Sequence, residues 1–417
     1  MAHDLRMDTW HEPARDVPVI GRPDVLVVGA GSAGIAAAIA AARQGANTWL
    51  LERSSQLGGL ATVGLINLLL TLDDGAGRQV VAGLCQEFVD RLAALDRCRF
   101  PPAAQWNSED AAEIDEWRRW GLVWGAPESV RYSVAFDPDA FVDVAIDALR
   151  SAGVRLQMHT WFAGVGLRDG TIDAVLVESK RGREAILPRV VIDTSGDGDV
   201  FVAAGAAYEQ VAIPPHLWFR AGGVTGRPGP FVFDTVDARR VLVPWGPHAD
   251  RVDPCDPDDM TRAELACRDE ARAAFAALRA SDPAFATAWL DDYARMLGIT
   301  ESRRMIGDHV LAKEEGDVAF PDTIARTGHW TKRNVVYHVP FRCLTTSAVT
   351  NLVVAGRCIS ATRYVHQATK EIPAAMATGE AAGVAGAMAA AATSRVHDVD
   401  VQALRSRLRA IGADVGA

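Results

Sequence analysis

The feature that most constrains this chain is a glycine-rich turn near its start, between segments of regular pattern. Its three glycines have the spacing G-x-G-x-x-G and are Gly29, Gly31 and Gly34. The β-branched run at 24–29 predicts a buried strand, the small residues at 32–43 predict a helix, and the apolar run at 48–52 predicts a second strand. Strand, helix and strand in this order open a parallel sheet. The predicted fold class is therefore α/β.

The turn has the residues that a nucleotide pyrophosphate needs. Gly29 permits the tight turn, Gly31 lets the backbone approach the phosphates, and Gly34 lets the helix pack on the strand. The free N–H groups at the helix start attract negative charge. Glu52, at the end of the second strand, can accept hydrogen bonds from a ribose diol. The predicted contacts are Gly29, Gly31, Ser32, Ala33, Gly34 and Glu52. A glycine turn used only for packing is the alternative.

A second glycine pair, soon after Glu52, favours FAD over NAD. The segment from Glu52 to Gly59 reads ERSSQLGG and resembles the FAD pyrophosphate loop of the glutathione-reductase and fumarate-reductase superfamily. This resemblance implies that Arg53, Gly58, Gly59 and Thr62 also contact the cofactor.

Three further motifs follow in order: VIDTSGDGD at 191–199, ESRR at 301–304 and NLVVAGRCIS at 351–360. Together with the glycine loops they resemble the FAD-dependent oxidoreductase family, over residues 23 to about 392. The resemblance implies non-covalently bound FAD. It also implies that the helix starting near Pro373 aims its N-terminus at the flavin. The further contacts that it implies are Thr194, Gly196, Gly356, Arg357, Ala374 and Ala375.

Changes of pattern along the chain predict two interleaved domains. A Rossmann-like FAD-binding domain, with a parallel sheet, helices and a small β-meander, is expected to be discontinuous and to carry an inserted α+β substrate or cap domain. The FAD-binding domain is predicted at 22–78, 135–208 and 335–395. The cap is predicted at 79–134 and 209–334, and terminal extensions at 1–21, whose first twenty residues are expected to form a loose leader, and 396–417. Helices are predicted at 137–153 and 261–280, and meander strands at 154–158, 172–180, 184–187 and 190–194.

Flavin chemistry needs a proton-transfer group and a substrate anchor from the protein. His366 is the first candidate for proton transfer because its ordinary pKa lies near working pH, and Tyr364 is the second. A His366 that only hydrogen-bonds backbone or flavin is the alternative. Arg303, Arg304 and Arg342 could clamp a substrate carboxylate, or could instead form interdomain salt bridges or flavin contacts.

Two places depart from the family pattern. Lys370 stands where arginine is frequent, and GHWTK at 328–332 replaces the usual short histidine segment. These departures concern the substrate rather than the cofactor. Four tryptophans could form an aromatic lid over a planar substrate, or could simply pack the cap; they are Trp106, Trp117, Trp120 and Trp124.

Composition disfavours several kinds of partner. The net charge of -10 would repel nucleic acid and anionic membrane surfaces. The six cysteines contain no CxxC pair, which predicts free thiols in a reducing cytoplasm and no metal site. The alanine-rich segment 374–393 includes Glu380 and predicts a packed interior helix rather than a membrane span.

These features predict an FAD-dependent dehydrogenase or oxidase. We expect it to remove two electrons from a C–C, C–N or N–N single bond of a small carboxylated metabolite, in specialised-metabolite biosynthesis. A second G-x-G-x-x-G unit does not follow Gly34, so reoxidation by an external acceptor, oxygen or another, is expected. A flavin-dependent monooxygenase and a non-catalytic redox scaffold are the alternatives, and homo-oligomerisation is left open.

Overall fold

The computed structural model describes residues 9–229 and 231–416. Its α-helices are α1 (Ser32–Arg43), α2 (Leu84–Ala94), α3 (Ala111–Arg118), α4 (Pro138–Ser151), α5 (Asp199–Ala203), α6 (Pro257–Ser281), α7 (Arg363–Thr369), α8 (Ile372–Ala391) and α9 (Val401–Ala410). Its strands are β1 (Val19–Gly21), β2 (Val25–Val28), β3 (Thr48–Leu51), β4 (Leu68–Leu69), β5 (Cys98–Arg99), β6 (Val134–Phe136), β7 (Arg155–Gln157), β8 (Trp161–Arg168), β9 (Thr171–Ser179), β10 (Gly182–Ile186), β11 (Val190–Asp193), β12 (Tyr208–Gln210), β13 (Phe219–Gly222), β14 (Phe233–Asp234), β15 (Arg240–Val243), β16 (Trp289–Tyr293), β17 (Arg303–Met305), β18 (Thr323–Gly328), β19 (Val336–Pro340) and β20 (Leu352–Val354).

A parallel sheet in the order β20-β11-β2-β3-β7 forms the centre of the fold. Strands β2, β3 and β11 are buried along their whole length, because both faces of the sheet are covered. β2, α1 and β3 lie where the sequence predicts them, and the α/β fold class is confirmed. β20 comes from near the end of the chain, so the sheet is assembled from distant segments.

Helices cover one face of this sheet and an antiparallel meander covers the other. Val25 and Val27 pack with α1 and α8, whereas Leu26 and Val28 pack with β8, β9 and β10. The runs predicted as meander strands at 154–158 and 190–194 instead form β7 and β11 of the parallel sheet. The long strand β8 was not predicted, because its two glycines, Gly164 and Gly166, interrupt the apolar alternation.

The predicted loose leader is wrong at its C-terminal end. Val19–Gly21 forms β1, which pairs in parallel with β10, and the carbonyl of Pro18 accepts a 2.8 Å hydrogen bond from the Ala185 N–H. Residues 1–8 lie outside the described part of the chain. Local sequence does not reveal this pairing because the partner strand lies far along the chain.

The alanine-rich segment forms α8, and the prediction of a packed interior helix is confirmed. A Cβ atom at Gly379 would lie 2.2 Å from the carbonyl oxygen of Ala33, and one at Gly383 would lie 2.2 Å from that of Ala37. These glycines let α8 run parallel to α1 at close range. No helix of the described residues is long and apolar enough to cross a membrane.

A second core lies in the cap. The antiparallel sheet β14-β15-β13-β16 packs with α6 and α3 through a cluster that includes Phe219, Cys267 and Phe275. The helix predicted at 261–280 begins earlier, at Pro257. The Asp256 side chain accepts hydrogen bonds from the first N–H groups of α6, and proline fits the first turn.

Two segments are assigned to different cores by their packing than the sequence pattern predicts. Within 79–134, α2 buries Phe88 and Leu92 in the core beside the parallel sheet, whereas α3 contributes Trp117 to the second core. The segment predicted as a C-terminal extension adds α9, whose Leu404 and Leu408 are fully buried in the first core. Amphipathic patterns predict that a helix buries one face but not which core receives that face.

Candidate functional site

The turn between β2 and α1 leaves open space beside the start of α1. Gly31 caps this helix, and no described atom lies within 4 Å of the position that a Cβ atom would take there. α1 has no side-chain cap and no acidic residue in its first turn, so the positive end of its dipole faces this space through the N–H groups of Ser32 and Ala33. A Cβ atom at Gly34 would lie 1.8 Å from the carbonyl oxygen of Gly29. Gly34 therefore serves close packing, whereas Gly31 leaves room for a ligand.

Glu52 ties the end of β3 to this turn. Its Oε2 accepts a 3.0 Å hydrogen bond from the Ala30 N–H, and its Oε1 accepts one of 2.8 Å from the Ser54 N–H. Each carboxylate oxygen can accept more than one hydrogen bond, which leaves capacity for a hydroxyl pair. The guanidinium of Arg53 instead lies over the Trp161 ring, 5.5 Å from its centroid.

The second glycine pair lies against the first. Gly58 and Gly59 have φ values of 98° and 56°, a region that favours glycine. The Gly58 N–H donates a 2.9 Å hydrogen bond to the Ala30 carbonyl, and Gly31 and Gly58 form an isolated parallel bridge. The Thr62 hydroxyl donates to the Leu57 carbonyl and closes the loop. Two glycine loops separated by nearly thirty residues in sequence thus lie side by side.

Two later motifs pack on the same edge. The Thr194 hydroxyl donates a 2.8 Å hydrogen bond to the Gly29 carbonyl. Gly356 has a φ of 80°, and a Cβ atom there would lie 2.9 Å from the Ala33 Cβ. Arg357 is engaged with the protein itself, since its guanidinium donates to the carbonyl of Gly196 at 2.5 Å and to Asp197 at 2.7 Å. We call the set Gly29, Gly31, Gly34, Glu52, Gly58, Gly59 and Gly356 the nucleotide cradle.

The N-terminus of α8 projects beyond the nucleotide cradle. Gly379 of α8 lies against Ala33 of α1. Gly379 is seven residues after the start of α8, whereas Ala33 is one residue after the start of α1. The two helices run parallel, so α8 begins six residues, or about 9 Å, before α1. The helix start, with Ala374 and Ala375 in its first turn, has no side-chain cap. A second positive helix end thus lies past the first, which fits a long ligand with negative charge at two places.

His366 is enclosed by the protein. Its side chain is 0% exposed, and neither ring nitrogen makes a well-formed hydrogen bond among the described residues. Burial, with the nearby cations Lys370, Arg304 and Arg357, lowers the pKa of His366 well below 6.5, and the Arg357 backbone offsets this only in part. This placement favours a neutral, enclosed imidazole over a proton-transfer group.

Tyr364 is partly exposed and interacts with cations. Its hydroxyl accepts a hydrogen bond from Lys332 Nζ, and Lys313 Nζ lies 4.9 Å from its ring centroid. The Lys332 hydrogen bond lowers the pKa of the Tyr364 phenol from its ordinary value. The ring of His329 lies 6.3 Å from that of Tyr364.

The predicted arginine anchors are occupied by protein groups. Arg303 donates to the Asp197 carbonyl at 2.6 Å and to Asp199 at 2.8 Å. Arg304 is buried and pairs with Glu301 and Glu209. Arg342 lies in an exposed ion pair with Asp322, 2.9 Å away. These contacts favour the salt-bridge alternative, since each guanidinium already has a carboxylate partner.

Basic side chains from three segments influence one another electrostatically, and the sequence analysis selected none of them for catalysis. Lys370 also pairs with Glu371 at 2.9 Å, and Lys332 donates to the Tyr364 hydroxyl. We call His216, His329, Lys332 and Lys370 the histidine–lysine cluster. Burial, with Lys332, Arg131 and Lys370, lowers the pKa of His329 to about 4. Burial and Lys370 likewise lower the pKa of His216. The only sequence signal for this cluster is the pair of departures from the family pattern, at Lys370 and at 328–332.

The four tryptophans do not act together. Trp106 stacks on Tyr132 with ring centroids 4.4 Å apart. Trp117 belongs to the cap core and Trp120 packs against it. The rings of Trp124 and Trp330 meet edge to face, with centroids 5.6 Å apart. Trp330 directly follows His329 of the histidine–lysine cluster in the sequence. Packing thus accounts for most of them.

Cavity size does not identify the site. One cavity of about 500 Å³ lies between Asn67, Asp137 and the cap residues Arg220 and Arg240. Another, of about 610 Å³, is lined by residues that include Arg155 and Lys180 at the far side of the meander. Neither is lined by a residue of the nucleotide cradle, so the site is assigned from the glycine turns and helix ends.

Comparison with known proteins agrees with this geometry. A family model described as FAD dependent oxidoreductase matches residues 24–242 and 218–408. No curated protein matches the sequence.

Solved structures resemble the chain in fold. A geranylgeranyl bacteriochlorophyll reductase-like protein from Thermoplasma acidophilum has a TM-score of 0.50 at 13% identity, covering 94% of this chain and 84% of its own. An L-amino acid deaminase from Proteus vulgaris, with its specific insertion sequence deleted, has a TM-score of 0.46 at 14% identity, covering 92% of each chain. A p-nitrophenol 4-monooxygenase from Pseudomonas putida has a TM-score of 0.46 at 13% identity, covering 94% and 80%. At these identities the likeness concerns the fold alone.

Proposed function

Because this chain belongs to the family of FAD-dependent oxidoreductases, we propose that it is a dehydrogenase or oxidase that removes two electrons from a small carboxylated metabolite. The bond oxidised is a C–C, C–N or N–N single bond, and oxygen or another external molecule is the final acceptor. The histidine–lysine cluster is the observation that carries the carboxylate part of this proposal.

FAD is the cofactor of the family, and the nucleotide cradle fits it without a covalent link. The space at Gly31 admits a pyrophosphate beside the N–H groups of Ser32 and Ala33. Glu52 orients the ribose hydroxyls, and the uncapped start of α8 stabilises negative charge farther along the cofactor. When bound, FAD supplies two-electron acceptance.

Lys370 and Lys332 bind the substrate carboxylate in this proposal. Their charges lower the pKa of His329, after burial. Lys370 is paired with Glu371 at 2.9 Å, but an ammonium group has three donors and keeps two for a substrate carboxylate. A bound carboxylate offsets these cations and strengthens their hydrogen bonds in a poorly solvated site. The charge of the substrate thus completes the site.

His329, rather than His366, receives the proton that leaves the substrate. Its pKa of about 4 keeps the free imidazole neutral. Its Nδ1 accepts a long, 3.3 Å hydrogen bond from the Thr331 N–H, so Nε2 carries the ring hydrogen, and Nδ1 is the atom that takes the proton when this bond is released. A bound carboxylate raises the pKa of His329 by offsetting Lys332 and Lys370, so binding prepares the base. His366 has no exposed atom with which to do this.

Anaerobic stopped-flow reduction of the flavin by a panel of small carboxylates tests the function. We expect at least one donor to bleach the oxidised flavin without added NAD(P)H. If only NAD(P)H bleaches it, and oxygen is then incorporated into a product, the protein is a monooxygenase and the proposal fails.

His329→Gln tests the proton acceptor, with His366→Gln as the matched control. We expect His329→Gln to retain FAD and to slow flavin reduction roughly 100-fold. His366→Gln should reduce at close to the wild-type rate. The reverse order of rates would return the role to His366.

A further inference from the structure

We propose that the cap domain contains a zinc-type cation site formed by His248, Cys267 and Glu270. One ligand atom from each residue, an imidazole nitrogen, the thiol sulfur and a carboxylate oxygen, lies within 4.8 Å of the other two. The three residues lie in the cap, outside both the nucleotide cradle and the histidine–lysine cluster. The proposal does not rest on the oxidoreductase function.

The donor set selects the class of cation. Nitrogen, sulfur and oxygen ligands together suit Zn²⁺, whereas Mg²⁺ and Ca²⁺ prefer oxygen alone. Tetrahedral zinc bonds of about 2.0–2.3 Å put ligand atoms about 3.5 Å apart. His248 Nδ1 and Glu270 Oε1 are 2.8 Å apart, and the three ligand atoms all lie within 4.8 Å of one another, so these distances bracket the spacing that zinc requires.

The backbone already holds the ligands together. Cys267 and Glu270 are three residues apart on α6 and therefore share a face. His248 lies in the loop after β15, where its N–H donates a 2.8 Å hydrogen bond to the Pro215 carbonyl. No folding rearrangement is needed to bring the loop to the helix, since the His248–Glu270 contact exists without a cation.

Exposure and charge favour a cation that enters from solvent. Cys267 is 1% exposed, whereas the side chains of His248 and Glu270 are 12% and 37% exposed. Asp250 Oδ2 lies 4.0 Å from His248 Nε2 and adds negative charge at the open side. Water completes four-coordination. The cation would clamp α6 to the 213–216 segment that carries His216.

The sequence analysis predicted no metal because the chain has no CxxC pair. A site with one cysteine escapes that test, since its ligands are far apart in sequence and only two of them share a helix. The structure brings the loop ligand to the helix.

Cobalt substitution tests the site directly in the full-length, FAD-loaded protein. After dialysis against a chelator, Co²⁺ should bind at one equivalent per chain and produce a thiolate-to-cobalt charge-transfer band, which Zn²⁺ abolishes by competition. Cys267→Ser should lose the band, whereas Cys255→Ser, which alters a cysteine outside the site, should keep it.

Milder variants keep the test valid if Cys267→Ser folds poorly. Glu270→Gln and His248→Gln should each weaken Co²⁺ binding at least about tenfold while retaining bound FAD. A missing band in wild-type protein, or a band lost in Cys255→Ser and kept in Cys267→Ser, would overturn the proposal. Zn²⁺ that fails to raise the melting temperature of wild-type protein would also count against it.

Discussion

The nucleotide cradle and the histidine–lysine cluster are built in opposite ways. The cradle consists mainly of backbone groups and missing side chains, and its first part forms within the β2–α1–β3 unit. The cluster consists of two lysines and two histidines, which come from a cap loop, from the segment after β18 and from the end of α7. The cradle should therefore be sensitive to added atoms, and the cluster to removed charge.

Gly31→Leu should have the largest effect on cofactor binding. The space at Gly31 admits a side chain without a clash in the free protein, but that side chain occupies the position of the pyrophosphate. We expect a folded protein with FAD affinity at least about 100-fold weaker, or about 3 kcal/mol. Flavin absorbance of the purified variant and its thermal melting measure the two properties.

Gly34→Ala is the matched control for this variant. Its Cβ atom would meet the Gly29 carbonyl oxygen, so it should destabilise the fold itself. A Gly31→Leu protein with full flavin content would remove the cradle from consideration.

Glu380→Gln tests a titratable group near the nucleotide cradle. Glu380 is a buried carboxyl among the small side chains of α8. Burial raises the pKa of Glu380 from 4.5 to about 8. Its contribution to stability is fully present below pH 4.5 and is lost as pH rises through about 8, because the unfolded chain releases the proton first. The loss amounts to at most about 5 kcal/mol.

The measurement is melting temperature against pH for wild type, Glu380→Gln and the exposed control Glu116→Gln. We expect Glu380→Gln to have the same melting temperature as wild type near pH 4.5. As the pH rises towards 9, its melting temperature should exceed that of wild type by a growing margin. Parallel curves for wild type and Glu380→Gln would mean that this carboxyl is not held protonated.

Lys370→Met tests the histidine–lysine cluster and should have the smallest effect, a weaker binding of substrate. Loss of one hydrogen bond to a charged group costs about 1.5–3 kcal/mol, so KM for the reducing carboxylate should rise about 10- to 100-fold with FAD content unchanged. Removing this cation also raises the pKa of His329, so the acidic limb of the kcat/KM profile should move to higher pH. Exposed Lys180→Met should change neither quantity, and flavin loss in Lys370→Met would erase the distinction between the two regions.

The sequence by itself determined the cofactor unit. The strand, glycine turn and helix are adjacent in sequence. The spacing of Gly29, Gly31 and Gly34 can therefore be interpreted without knowledge of the tertiary structure. The bounds of α1 and the interior position of α8 follow from small residues and their pattern. The resemblance to a flavoprotein family depends on such local motifs, and the family match confirms it.

Tertiary structure decided what surrounds the reacting bond. The sequence does not disclose that His366 is enclosed, that Arg303 and Arg342 are engaged with carboxylates, or that His329 lies near Lys370. Each depends on contacts between segments far apart in the chain, where local pattern carries no distance information. The pKa of a side chain depends on burial and on neighbouring charge, and both exist only after the two cores have packed together.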